Sequence, residues 1–378
     1  MPSSPRYRVG VVGFAHMHVN EIMRRFRDVP EFELVACADT TPDIPETSAA
    51  TFTRAWNLRY AQEKIGIPRV YADYRELLAA ERPDLVAVYS ENARHLEVAA
   101  AAAAVGANLL IEKPLGISLA DSIRIERVAR SAGVRLFVNW LSTWSPSTHT
   151  MKRLLQAGTI GRPFQVRVRA AHTGPLGSGA SHQGVDAGDQ PITDDDRSRT
   201  WWHRAGTGGG ALLDFIGNGA CLARWWLGEQ ATAAFGLAAN LLSPFSEVED
   251  NAVVAVRFPS AMAVLEASWT TRDPGLPSGP IVYGEAGTLA VDHRGGEQTI
   301  RVGRGSGTEP EYVPCEPLSP GHQSIAQEIA RCLSTGDEPH ETLTPAYNLE
   351  VMAIIDAAIR STRTGKLEIV DDPRWCQL

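Results

Sequence analysis

A β-branched run, Arg8 to Val12, gives way to Gly13-Phe14-Ala15-His16-Met17-His18 and then to a helix-compatible stretch from Asn20 to Phe26. A strand, a turn of small residues and a helix start bring free backbone N–H groups and the positive end of a helix dipole against an anion. A dinucleotide pyrophosphate is held in this way. Gly13 meets the steric demand, Ala15 nearly does, and His18 breaks the G-x-G-x-x-G pattern. Phe14, His16 and His18 are read with these two as the phosphate-facing turn. The two histidines also invite a metal reading, but residues two apart at a helix start do not share a face. A packed or solvated turn is the plainer account, and no metal is expected.

Asp39 follows a second strand-like run, Phe32 to Ala38. A carboxylate at that place accepts the ribose hydroxyls of NAD, and the following Thr40-Thr41 bring no arginine for a 2′-phosphate, so NAD is expected over NADP. The competing account is a turn-initiating aspartate ahead of Thr-Thr-Pro.

The elements that must position these groups alternate in the manner of a parallel sheet. Further strands are expected at Leu85 to Tyr89, Asn108 to Ile111 and Arg135 to Val138, with helices at His95 to Val105 and Leu119 to Ser131 between them. Beyond Val138 the pattern changes. Trp140 to Pro146 is irregular and a helix is expected over Thr148 to Ala157. Strands at Gln165 to Ala171, Ala252 to Phe258 and Met262 to Thr270, with turn signals at Pro259-Ser260 and Gly284 to Gly287, imply an open, largely antiparallel sheet. Thr173 to Arg199 is too polar to bury and too long for a simple connection, which makes it a site lid or a subunit contact. The fold class is therefore α/β: a Rossmann doubly wound sheet over residues 1–140 and an α+β substrate and oligomerisation domain over 141–378.

Composition sets the outer bounds. A chain of 378 residues with 44% hydrophobic content exceeds the size at which single cores divide. The net charge of -8, without a run of Lys or Arg, excludes a nucleic-acid footprint. The N-terminus lacks an apolar signal core, and the most apolar stretch, Val98 to Ile111, is interrupted by Gly106 and Asn108, so no membrane span is expected. Five scattered cysteines, Cys37, Cys221, Cys315, Cys332 and Cys376, indicate neither a disulfide framework nor a zinc knuckle and fit a cytoplasmic protein.

Three motifs together carry a family resemblance. Glu112-Lys113-Pro114-Leu115-Gly116 follows a buried strand; Pro83 to Val86 leads through Ser90 to Asn92 and His95; and Gly208-Gly209-Gly210-Ala211-Leu212-Leu213-Asp214 lies in the second half. The chain resembles the glucose-fructose oxidoreductase and inositol dehydrogenase family, Gfo/Idh/MocA, from Arg8 to about Lys366, with Glu91 where a proline is common. The resemblance implies that Ser90, Asn92, His95 and Glu112 border the cofactor, that Lys113 lies beside the nicotinamide and the substrate hydroxyl, and that Asp214 completes the site. It also implies a homodimer or homotetramer. Asn218 stands where the family has a histidine, and Cys221 where another acid is frequent.

Oxidation at a carbinol carbon requires a group to take the hydroxyl proton. Lys113, in a partly apolar cleft beside a cationic nicotinamide, is the expected acid–base, though a lone lysine is more often a surface residue. Asp214 is expected to orient it or to accept from a substrate hydroxyl; the competing account makes it a helix N-cap or first-turn acid after the Gly-rich turn. Asn218, with donor and acceptor capacity, is expected to bind another hydroxyl. A separate imidazole would come from His172, His182 or His203, each with a structural role as the competing account. Trp140, Trp144 and Trp202, with Trp201, offer faces for sugar C–H groups or else pack the core, whereas Trp225 and Trp226 are read as core. The leading function is NAD-dependent hydride transfer at a sugar, glycoside or inositol hydroxyl carbon. Redox-assisted glycoside cleavage with recycled NAD and a non-catalytic dinucleotide sensor are the alternatives.

Overall fold

The computed structural model describes residues 7–177, 180–186, 188, 191–273 and 279–370. Cys376 lies outside them. The first half builds strands β1 (Tyr7–Val12), β2 (Phe32–Ala38), β3 (Val70–Tyr71), β4 (Leu85–Val88), β5 (Asn108–Glu112) and β6 (Leu136–Asn139). They form one sheet in the order β3-β2-β1-β4-β5-β6, and every pairing is parallel. The helices of this half are α1 (Val19–Arg27), α2 (Arg54–Tyr60), α3 (Tyr74–Glu81), α4 (His95–Ala104) and α5 (Leu119–Ala132). With helices on both faces, strand interiors must be apolar throughout, and all four residues of β4 are buried. Strand order reverses between β1 and β4, and the crevice beyond their carboxyl ends is where such folds bind ligands.

The second half forms a nine-stranded sheet. Its strands are β7 (Pro163–Ala171), β8 (Ala233–Ala239), β9 (Asn251–Arg257), β10 (Met262–Ser268), β11 (Ile281–Gly284), β12 (Gly287–Arg294), β13 (Glu297–Gly303), β14 (Glu311–Pro314) and β15 (Glu368–Ile369). The order is β14-β13-β12-β11-β7-β10-β9-β8-β15. Only β7 with β10 runs parallel, so the expectation of a largely antiparallel sheet holds. Strand β9 alternates buried and outward residues, as a sheet covered on one face requires. The covering helices include α6 (Pro146–Gln156), α8 (Gly217–Leu227) and α10 (Pro345–Thr364); a short helix, α7 (Asp194–Arg199), closes the long polar segment. Trp225 and Trp226 are core residues of α8, which ends at the left-handed Gly228, as read from sequence.

Helix α9 (Ile325–Thr335) returns to the first half and buries Ile325, Ala326 and Ile329 in the cluster that holds Val19, Ile22 and Phe26 of α1. No local pattern announces this long-range contact. None of the described cysteines forms a disulfide, and among the described residues no helix is long and apolar enough to cross a membrane.

Gly13 makes the turn after β1 possible. Its φ is +90°, and a Cβ there would lie 2.2 Å from the Ser90 backbone nitrogen. Gly13→Ala is therefore expected to cost roughly 2–4 kcal/mol and to lower Tm by several degrees in thermal denaturation. An unchanged Tm would show that the turn adapts.

Candidate active site

Lys113 follows the last residue of β5, with a cis peptide to Pro114, and is buried. Its ammonium donates to Asp214 Oδ1 at 2.5 Å and to the Asp214 carbonyl at 3.1 Å. Asp214 sits in a π-helical turn, Leu212–Ile216, just ahead of α8, and a widened turn of this kind turns a side chain out of the regular helical row. It caps neither element, but it is the acid in the first turn after the glycine-rich segment, so the first-turn part of the competing account holds and the N-cap part does not. The glycines before it are steric necessities: a Cβ on Gly209 would come 2.2 Å from the Trp202 carbonyl oxygen, and one on Gly210 would meet Glu249. Glu249 in turn accepts from the Leu212 N–H at 2.9 Å. A buried strand end in one half and a glycine-shaped turn in the other thus meet through one ion pair.

The expected cofactor residues collect around this pair, at the ends of β1, β2, β4 and β5. Phe14 points its ring into the core and offers only its N–H, which donates to Asp39 Oδ1 at 2.9 Å. His95 is fully buried, and its Nδ1 lies 3.2 Å from the Leu115 carbonyl oxygen, so it braces the turn that carries Lys113 and does not itself line the crevice. Asn92 donates to the Gly208 carbonyl at 2.9 Å, tying the β4 loop to the glycine turn. Ser90 lies beneath, at the close approach to Gly13. Glu112 is fully buried and pushed up to about 7 by that burial, although Lys113 and a hydrogen bond from Asn139 oppose the rise.

Of the expected substrate residues, Asn218 lies half-buried in the first turn of α8, its side-chain amide making no hydrogen bond among the described residues. His172 is partly open to solvent. It rests edge-on against Phe215 at 4.8 Å and its Nδ1 accepts the Gly174 N–H at 2.8 Å, within the electrostatic reach of Asp214 and Lys113. His182 also comes to the crevice, its ring 5.2 Å from that of His18 and its Nδ1 3.5 Å from a Glu21 oxygen. His203 does not: it packs between Phe245 and Trp269, where burial pushes it down to about 4.

Two tryptophan expectations are corrected. Trp140 is fully buried, its indole N–H held by Asn348 of α10 at 2.6 Å, and Trp144 packs edge-on to His340; both belong to the core because their rings lie under helices. Trp202 is buried as well, but against the phosphate turn, its ring 4.8 Å from that of His16. Its neighbour Trp201 donates from the indole to the Ala15 carbonyl at 2.8 Å.

The separation expected of His16 and His18 is also corrected. His16 lies in the turn, outside α1, and the two rings approach to 4.3 Å. Helical spacing does not govern a residue that precedes the helix.

Sequence reasoning missed Arg54, the first residue of α2. Its guanidinium donates to Asp39 Oδ1 at 2.6 Å and to Glu91 Oε1 at 2.5 Å, and it stands 3.7 Å from Glu46. Glu91, the departure from the family's proline, was the available signal: a buried acid requires a cation. Asp39 Oδ1 also accepts the Thr40 N–H at 2.8 Å, so the bonds described here converge on one carboxylate oxygen.

These residues fit NAD at the ribose end. Asp39 offers its second oxygen to a diol, and Asn92 Oδ1 is a buried acceptor without a partner. Arg54 is committed to three carboxylates and leaves no free charge there for a 2′-phosphate. At the pyrophosphate end, Trp201 and Trp202 lie against the turn, the Trp201 indole N–H on the Ala15 carbonyl and the Trp202 ring against His16.

Comparison with known proteins agrees with this architecture. Residues 7–140 match the oxidoreductase family with an NAD-binding Rossmann fold, and residues 148–290 match the GFO/IDH/MocA C-terminal domain. The chain belongs to the Gfo/Idh/MocA oxidoreductase family. It is 24% identical to a D-apiose dehydrogenase of Paraburkholderia graminis, over 96% of this chain and 89% of that protein. It is 26% identical to a myo-inositol 2-dehydrogenase of Thermotoga maritima, over 76% of this chain and 75% of that one. A levoglucosan dehydrogenase solved with NADH and levoglucosan superposes with a TM-score of 0.77 at 17% identity, covering 97% of this chain and 100% of the other, which shows the shared fold.

The Arg54 cluster has a pH signature. Burial holds Glu46 up at about 7 against an ordinary 4.5, so the folded chain keeps a proton that the unfolded chain releases between these values. That contribution to stability is present at low pH and is lost as pH rises through the window. Arg54→Met removes the cation and is expected to cost about 3–5 kcal/mol at pH 8 and clearly less at pH 5, where Glu46 holds its proton. Thermal denaturation at the two pH values checks this, and an equal loss at both would refute it.

Proposed function

We propose that this chain transfers a hydride between NAD and a hydroxyl carbon of a sugar, glycoside or inositol, with Lys113 as the proton-transferring group. The observation that supports it is the buried Lys113–Asp214 pair at the mouth of the strand-order reversal, where a ligand bound by such a fold lies. Bound NAD supplies the hydride acceptor in oxidation and the hydride donor in reduction. Asp39 holds the ribose diol, while Gly13, Ala15 and His18 border the phosphates. As the neutral amine Lys113 Nζ takes the hydroxyl proton while the carbinol carbon is oxidised, and as the ammonium it returns the proton in the reverse direction; Asp214 keeps the nitrogen aimed at that oxygen. Asn218 and His172 bind neighbouring hydroxyls in place of the family histidine. Trp202, packed on His16, shapes the wall between cofactor and substrate.

On the same reading, residues 1–140 are the dinucleotide-binding unit and 141–378 the substrate and oligomerisation unit. The outward face of the second sheet exposes Leu237, Val253 and Met262, which suits a homodimer or homotetramer. The described cysteines are unpaired, with Cys37, Cys221 and Cys332 buried, which suits a reducing, cytoplasmic compartment.

A screen of NAD reduction over sugars, glycosides and inositols, with products identified, tests the function. Substrate-dependent NADH formation supports it, and sugar release without net NADH would favour redox-assisted cleavage instead. Lys113→Met is expected to leave NADH binding, followed by fluorescence, nearly intact and to lower turnover about 100-fold to 10,000-fold. Unchanged turnover would remove Lys113 from the chemistry.

A further inference from the structure

Three donor side chains converge beside Lys113 from two strand ends. His16 and His18 come from the turn after β1, and Glu112 is the last residue of β5. One ligand atom from each lies within 4.8 Å of the other two. His18 Nδ1 is 2.9 Å from Glu112 Oε1, and His16 Nε2 is 3.9 Å from the same oxygen. A tetrahedral ion with bonds of about 2.0–2.1 Å sets its donors about 3.3 Å apart. The three atoms therefore bracket that spacing, and closure requires a movement of about an ångström at the His16 ring.

Two features of the surroundings point to an ion and not to packing alone. The Glu112 carboxylate is oriented: Asn139 donates to Oε2 at 2.7 Å, which leaves Oε1 for the two imidazoles, the outer arrangement that metal-bound carboxylates use. In addition, His16 Nε2 is buried and has no hydrogen-bond partner, while its ring is 1% exposed. A packed histidine–glutamate contact explains His18 but leaves this nitrogen unsatisfied. Ligation through His16 Nε2 puts the ring proton on Nδ1 and gives up the long 3.2 Å bond that Nδ1 accepts from the His18 N–H.

We propose that His16, His18 and Glu112 bind one divalent transition-metal ion, zinc or a first-row neighbour, in a three-ligand site with open positions next to Lys113. Two imidazoles and a carboxylate with vacant positions is a donor set used by catalytic zinc and non-haem iron sites. A further imidazole, that of His182, stands with its ring 5.2 Å from that of His18. An ion there takes the oxygens of a vicinal diol or hydroxy-acid and acidifies the bound hydroxyl whose proton passes to Lys113. The substrate part of this statement rests on the dehydrogenase reading; metal binding itself does not.

The test is elemental analysis of the purified full-length protein after zinc incubation and desalting, followed by cobalt(II) titration of chelator-stripped protein with ligand-field absorption as the readout. The expected result is about one ion per chain, with occupancy falling at least about ten-fold in His16→Ala and in His16→Ala/His18→Ala. His16→Ala serves as the mild variant, because Nε2 makes no hydrogen bond whose loss would unfold the turn; circular dichroism and Tm verify that it is folded. Occupancy below about 0.1 ion per chain in wild type, or wild-type occupancy in the folded double variant, overturns the proposal. NADH fluorescence titration of the stripped protein separates the two readings. Dinucleotide binding without any metal uptake sinks the metal site alone, and metal uptake without dinucleotide binding sinks the dehydrogenase reading alone.

Discussion

A lysine ammonium and an aspartate carboxylate, both buried and 2.5 Å apart, join the two halves of this protein. Neither charge tolerates burial without the other, so the β5 end and the glycine-shaped turn must arrive at the same place for the native state to form. The three glycines before Asp214, the π-helical turn that carries it and the His95 brace under Leu115 are understood as consequences of that constraint.

Charge at the other end of the crevice follows the same rule with different partners. Arg54 answers Asp39, Glu46 and Glu91 at once, so carboxylates outnumber the guanidinium in the cluster. An acidic excess suits a neutral ribose diol and opposes a phosphate, which gives the NAD preference an electrostatic basis beyond the lone Asp39. Between the two ends, the phosphate turn carries imidazoles and is capped by indoles from the second half.

Much of the frame was legible locally. The strands β1, β2, β4, β5 and β6 lie within a residue or two of where hydrophobic runs put them, because a strand buried on both faces must be apolar along its length. Lys113 and Asp214 stood out through the motifs around them. Trp140 and Trp144 were misread because aromatic composition does not say which way a ring faces, and Asn348, Gly217 and His340, which receive them, are distant in sequence or on other elements. Arg54 stayed hidden because the partners Asp39 and Glu91 come from different loops.

By itself the sequence determined the family, the parallel sheet with its β1 turn, the second antiparallel sheet and the two residues of the central pair. Each of these is encoded by short-range pattern: period, glycine placement, a motif after a strand. Only the tertiary structure decided that His16 and His18 meet on Glu112, that Arg54 balances three acids, that α9 packs on α1, and that Trp202 guards the turn while Trp140 does not. Those facts depend on side chains brought together across many residues of chain, and burial, which fixes the cost of every charge and the state of every imidazole, does not exist until the chain is folded.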